Sequence, residues 1–106
     1  MPKYLVRGNY ASDGASGLLA EGGTPRRAAA ETAIASVGGT MESMYWAFGD
    51  TDVFGIAEFP DDASALAFSL MVNASGALSG TVTPLLTADD LDAAASKSPS
   101  YRPPGG

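Results

Sequence analysis

No cysteine and no histidine occurs among the 106 residues of this chain. Without thiols there is no disulfide framework, no thiolate nucleophile and no zinc-ribbon spacing. Without imidazole, the commonest general base and the commonest transition-metal ligand are both missing. Charge is scarce too: Asp, Glu, Lys and Arg make up 17% of the chain, against about 25% in an average soluble domain. Some of the surface is therefore expected to meet protein rather than water. Bases number 6 against 12 acids, for a net charge of −6, and Arg26-Arg27 is the only adjacent basic pair. Such a surface repels phosphate backbones, so neither nucleic acid nor an anionic membrane is an expected partner. The start MPKYLVRGNY is too short and interrupted for a signal h-region. No run approaches the ~18 apolar residues of a membrane span. A cytoplasmic protein is expected.

What is present suffices for one small domain. Hydrophobic residues reach 45%, too many for a disordered chain. Residues 1–97 read as the folded domain and 98–106 as a Pro/Gly-rich tail that is extended, either free or laid along a surface. Lys3 to Tyr10 alternates and is rich in strand formers. Ser12 and Asp13 start a short turn carrying Leu18 and Leu19, and Gly22-Gly23 breaks the chain. Thr24 as N-cap and Pro25 at the first helical position open a helix whose apolar face is Ala30, Ala33, Ile34 and Val37. Thr40 to Phe48 and Asp52 to Phe59 form a hairpin about Gly49-Asp50-Thr51. Asp61 or Asp62 caps a second helix with the stripe Ala63, Leu66, Ala67, Leu70, Met71 and Ala74. Leu78 to Leu85 is a fourth strand, and Thr87-Ala-Asp-Asp90 starts a last short helix in capping-box fashion. The order β-α-β-β-α-β predicts an α+β, ferredoxin-like antiparallel sheet with a short C-terminal helix.

Strand alternation sorts side chains onto two faces. Tyr4, Val6, Gly8, Val53, Gly55 and Ala57 are mostly small, as are Met41, Ser43, Tyr45, Ala47, Leu78, Gly80 and Val82 as a group, and suit close-packed helices. The other face would hold Leu5, Arg7, Asn9, Met44, Trp46 and Phe48, with Phe54, Ile56 and Glu58. Both helices cover the first face, so the second is bare, and a bare apolar face usually marks an interface. A second copy of the chain is the expected partner, giving a homodimer or higher homo-oligomer.

The segments MPKYLVRGNY, GLLAEGGTPRRAA, AFGDTDV, the stretch Asn73–Ala77, TPLLT and YRPPG together resemble the GYD domain family. The resemblance spans nearly the whole chain. It implies a ferredoxin-like fold of the dimeric α/β-barrel type and no particular activity. Where the family motif usually carries an aromatic residue, this chain has Thr51.

Four constellations bear on chemistry. Asp50 and Asp52, at i and i+2, with Asp61 and Asp62 as further oxygen ligands, would suit a hard cation; hairpin-turn chemistry accounts for the same residues. Arg7, Asn9, Trp46 and Glu58 fall on one predicted face. There Arg7 would clamp a carboxylate, Trp46 would stack, and Glu58 would act as a base if burial raised its pKa; a structural Arg7–Glu58 pair is the plainer alternative. Gly22-Gly23-Thr24-Pro25 with Arg26 and Arg27 offers amides and guanidiniums to an anion, and an Arg27–Glu31 pair at i+4 competes. Pro2 would be an amine base were Met1 removed, as in tautomerases, which share only the Met-Pro start. Asn73-Ala-Ser75 matches a glycosylation sequon without a secretion signal. No cofactor is expected. Three functions fit: a self-associating small-ligand-binding domain, a cofactor-free isomerase or oxygenase using Glu58 or Tyr45 for proton transfer, and a purely structural assembly protein.

Overall fold

A computed structural model describes all 106 residues. The chain is α+β, with a four-stranded antiparallel sheet and four helices. In order these are β1 (Lys3–Tyr10), α1 (Ser12–Glu21), α2 (Gly23–Ala35), β2 (Thr40–Trp46), β3 (Val53–Glu58), α3 (Asp62–Ala74), β4 (Leu78–Leu85) and α4 (Ala88–Ala95). The strands lie in the order β2-β3-β1-β4.

The sheet is open. Strands β2 and β4 form its two edges, and four strands are too few to close on themselves, since a small barrel takes about eight. The dimeric α/β-barrel expected from the resemblance is thus corrected: the sheet is open and is not part of a closed barrel. The predicted β-α-β-β-α-β order is corrected as well, because the β1–β2 connection holds two helices. The segment expected to be a short turn is the ten-residue helix α1. Its Gly14 lies so close to the Ala77 carbonyl that a Cβ would collide with it, and Ala11 N donates to that same oxygen at 2.9 Å. The two glycines of α1 lower helix propensity, yet Gly14 is what lets the helix approach the start of β4. Gly22, at φ 87°, makes the corner into α2.

The core lies between the sheet and the helices. Tyr4, Ile34, Ala57, Phe59, Ala65 and Phe68 form its buried centre. Tyr4 and Phe59 meet edge to face, with centroids 5.4 Å apart, and Phe59 contacts Phe68 at 5.6 Å. These aromatic contacts turn α3 so that Ala65 and Phe68 point inward. Leu66, Leu70 and Met71 of the predicted stripe are exposed instead. On α2 the predicted face is the inner one, with Ile34 buried and Ala33 packed on the core, where Val37 of the following turn joins them.

The strand register decides the faces. Tyr4 stands opposite Ala57, Val6 opposite Gly55 and Val82, and Gly8 opposite Val53 and Gly80. All of these face the helices, as alternation predicts. Strand β2 departs from alternation through a bulge. Met41 pairs with Ala57 but Ser43 pairs with Ile56, so Glu42 is an extra residue. Beyond it every side chain is reversed: Met44 and Trp46 share the helix side with Gly55 and Val53, while Ser43 and Tyr45 join Ile56 and Phe54 on the open face. The predicted placement of Met44 and Trp46 on the bare face is therefore corrected. Glu42 itself accepts a hydrogen bond from Lys3 Nζ at 2.6 Å. At the other edge, the Asn73 side chain accepts from Gly80 N and donates to Gly80 O, both at 3.0 Å, covering part of β4. The sequon asparagine thus has a structural task. No helix is long and apolar enough to cross a membrane.

Candidate functional site

The helices leave the middle of the sheet uncovered on their own side. Three glycines, Gly8, Gly55 and Gly80, come from three adjacent strands and face this gap. With no side chains there, and with Ala30 and Ala33 on the α2 wall, the surface sinks into a cleft of about 440 Å³. Phe68, Met71 and Val72 of α3 form the opposite wall, and Met44 lies among the apolar lining of the floor. Asp13, Glu21, Arg26 and Asn73 supply polar groups among the lining residues. Size and lining suit a small, largely apolar molecule held in orientation by a few polar groups.

The predicted constellations are distributed differently. Arg7 and Glu58 both direct their side chains to the open face; Arg7 also borders the cleft from its place in β1, and Glu58 does not. Arg7 is opposite Phe54 and Thr81, whereas Glu58 is opposite Lys3, four residues and about 14 Å along β1 from Arg7. They form no pair. Asn9 shares their face but spends its Oδ1 on Asp52 N, at 2.9 Å. Trp46 lies on the other side, where its Nε1 donates to the Tyr10 hydroxyl at 3.1 Å and its ring packs over Gly23. The Arg7, Asn9, Trp46, Glu58 set is therefore split across the sheet. Tyr45, moved by the bulge, joins Glu58 on the open face but stands opposite Phe54.

Carboxylates predicted as metal ligands have local tasks. Asp52 accepts from Tyr10 N at 3.0 Å, tying the β2–β3 loop to the end of β1. Asp61 caps α3 by accepting from Ser64 N at 2.8 Å, and this hydrogen bond holds its pKa below the usual value. Asp62 accepts from the Tyr4 hydroxyl at 2.6 Å. That bond, then burial, pushes the Tyr4 pKa up to about 12. Asp50 is exposed. No three carboxylates are grouped so as to hold a metal ion. Arg27 pairs with Glu31 at 3.0 Å, while Arg26, half-buried and without an ion-pair partner, lines the cleft. Pro2 is exposed, and its carbonyl accepts from Phe59 N at 3.2 Å.

Of the predicted site residues, only Arg7 and Arg26 line the cleft. Its one sequence signal was a glycine at a helix-side position in each of three strands.

A four-stranded antiparallel sheet with helices on one face, a bare second face and a cleft under the helices defines an α+β architecture. The profile of the GYD domain matches residues 4–95. The chain belongs to the GYD domain family. Neither a curated protein nor a solved structure matches it significantly.

Proposed function

We propose that this protein is a self-associating, small-ligand-binding domain of the cytoplasm, its ligand lying in the cleft between the helices and the sheet. The carrying observation is the apolar cleft of about 440 Å³ over Gly8, Gly55 and Gly80. Natural small-molecule sites run from about 300 to 1,000 Å³ and share this mix of apolar walls and few polar groups. Self-association is supported by the open sheet face, where Leu5, Phe54, Ile56 and Tyr45 have no helix over them.

Native mass spectrometry of freshly purified protein, repeated after denaturation, tests the binding reading. A mass that is retained under native conditions and lost on denaturation is expected. An anilinonaphthalene sulfonate dye provides a second readout: Ala30→Phe, which fills the cleft from the α2 wall, should abolish the dye's fluorescence gain. Ile56→Ser, on the other face, should leave that gain intact. Equal dye binding by parent and Ala30→Phe, with no retained mass, would refute the assignment.

A further inference from the structure

The segment after β4 is poorly matched to the domain that carries it. Every residue from Thr83 to Gly106 is exposed. Leu86 is 77% exposed, Leu91 68% and Tyr101 78%. Helix α4 has eight residues, whereas isolated helices shorter than about 12–15 residues are marginal in water. Its capping box, with Thr87 Oγ1 accepting from Asp90 N and Asp90 accepting from Thr87 N, helps its first turn only.

Whole-molecule dimensions say the same. The radius of gyration is 16.9 Å, against about 13 Å for a compact chain of this length. The longest extent is 56 Å, about twice the ~27 Å of an eight-residue strand. Accessible surface is 7072 Å², whereas a compact monomer of this mass exposes about 5500 Å². The excess, about 1500 Å², is more than the ~800 Å² each partner gives to a standard interface and falls within the obligate range.

We propose that this C-terminal arm is exchanged between two copies, Leu86 and α4 of each lying across the open sheet face of the other. This rests on the self-association put forward above and names the segment that performs it. The two surfaces are complementary. Leu91 with Ala88, Ala94 and Ala95 gives α4 an apolar stripe of mostly small residues, which lets a helix approach a sheet closely. The receiving face offers Leu5, Phe54 and Ile56 around Arg7. Arg7 is exposed and has no ion-pair partner, and Asp89, Asp90 and Asp92 flank the helix stripe. Docking removes the arm's leucines from water and gives Arg7 its carboxylate.

The absence of cysteine makes the test clean. In the full chain carrying Thr81→Cys, beside Arg7, and Ala94→Cys, on the arm with Leu91 kept, a short bis-maleimide should bridge two copies. The denatured mass should then be that of a covalent dimer. A bridge within one copy would overturn the exchange, because the arm would then cover its own sheet. A native dimer with no bridge of either kind would overturn the exchange and leave self-association standing. A native monomer would remove both. As a variant without engineered thiols, Leu86→Asp/Leu91→Asp should raise the dissociation constant at least tenfold, with the circular dichroism of the sheet intact. An unchanged native mass across a dilution series would refute the proposal.

Discussion

Deleting Glu42 should leave this protein folded, which few deletions inside a strand would do. A one-residue deletion ordinarily turns every later side chain of the strand to the opposite face. Here Glu42 is the extra residue of a bulge, and Met41 and Ser43 already face neighbouring β3 residues, Ala57 and Ile56. Removing it makes β2 regular while keeping Met44 and Trp46 on the helix side. What is lost is an exposed ion pair with Lys3, and stability should stay within about 1 kcal/mol of the parent, as surface changes do. Were Glu42 instead an ordinary alternating residue, the deletion would reverse Met44, which is buried, and Trp46, which is 37% exposed. Burying a Met side chain is worth about 1.5–3 kcal/mol and the indole adds a comparable share, so the loss would exceed about 3 kcal/mol. The assay is urea unfolding followed by fluorescence, for which Trp46 is the only tryptophan. A midpoint near the parent's with an unchanged emission maximum is expected. A loss above about 3 kcal/mol with a shifted maximum would refute the bulge assignment.

Three further outcomes are expected. Gly39→Ala should destabilise by about 1–3 kcal/mol through overpacking, because a Cβ there would come within 2.7 Å of both Glu58 O and Ile34 Cγ2; a denaturant midpoint equal to the parent's would contradict this. The Tyr4 pKa stands at about 12 against an ordinary 10.0. The neutral phenol is therefore favoured by folding, and its contribution is complete below pH 10 and lost as pH rises from about 10 to 12. Tyr4→Phe should flatten that part of the stability–pH curve, and an identical alkaline slope in both proteins would show the Asp62 bond to be idle. Trp46→Ala should leave the native mass as in the parent, since the indole lies on the helix side; a lower mass would return Trp46 to the interface.

Where side-chain alternation was uninterrupted, the sequence was a sound guide. In β1, β3 and β4 small residues at every second position marked the face on which helices lie, and Tyr4, Ala57 and Val82 are there. In β2 the run Met41-Glu42-Ser43-Met44 reads equally well with or without an extra residue, and only pairing with β3 reveals the bulge. That single residue took Trp46 out of the Arg7, Asn9, Trp46, Glu58 constellation, while the distance along β1 separates Arg7 from Glu58. Helix α3 is apolar nearly all round, so periodicity alone could not choose its inner face; Phe59, from outside the helix, chose it through Phe68. Helix α1 was obscured by its glycines, whose role is contact with Ala77 rather than local propensity. The cleft was the least legible feature. It exists because glycines about 25 to 70 residues apart in sequence meet on one surface, and no local window contains that information.

The position of β1 carries a consequence for how the chain reaches this state. The first strand lies in the middle of the sheet, and its β4 partners are 68 to 82 residues further along the chain. Long-range antiparallel pairing of this kind slows folding, because loop-closure entropy must be met before any contact rewards it. At about 5–20 residues per second of synthesis, β1 emerges several seconds before the strand that flanks it. During that interval its backbone edge and the apolar residues Leu5 and Val6 lack β4, and the sheet cannot be complete. The last strand made is therefore the one that commits the domain to its fold.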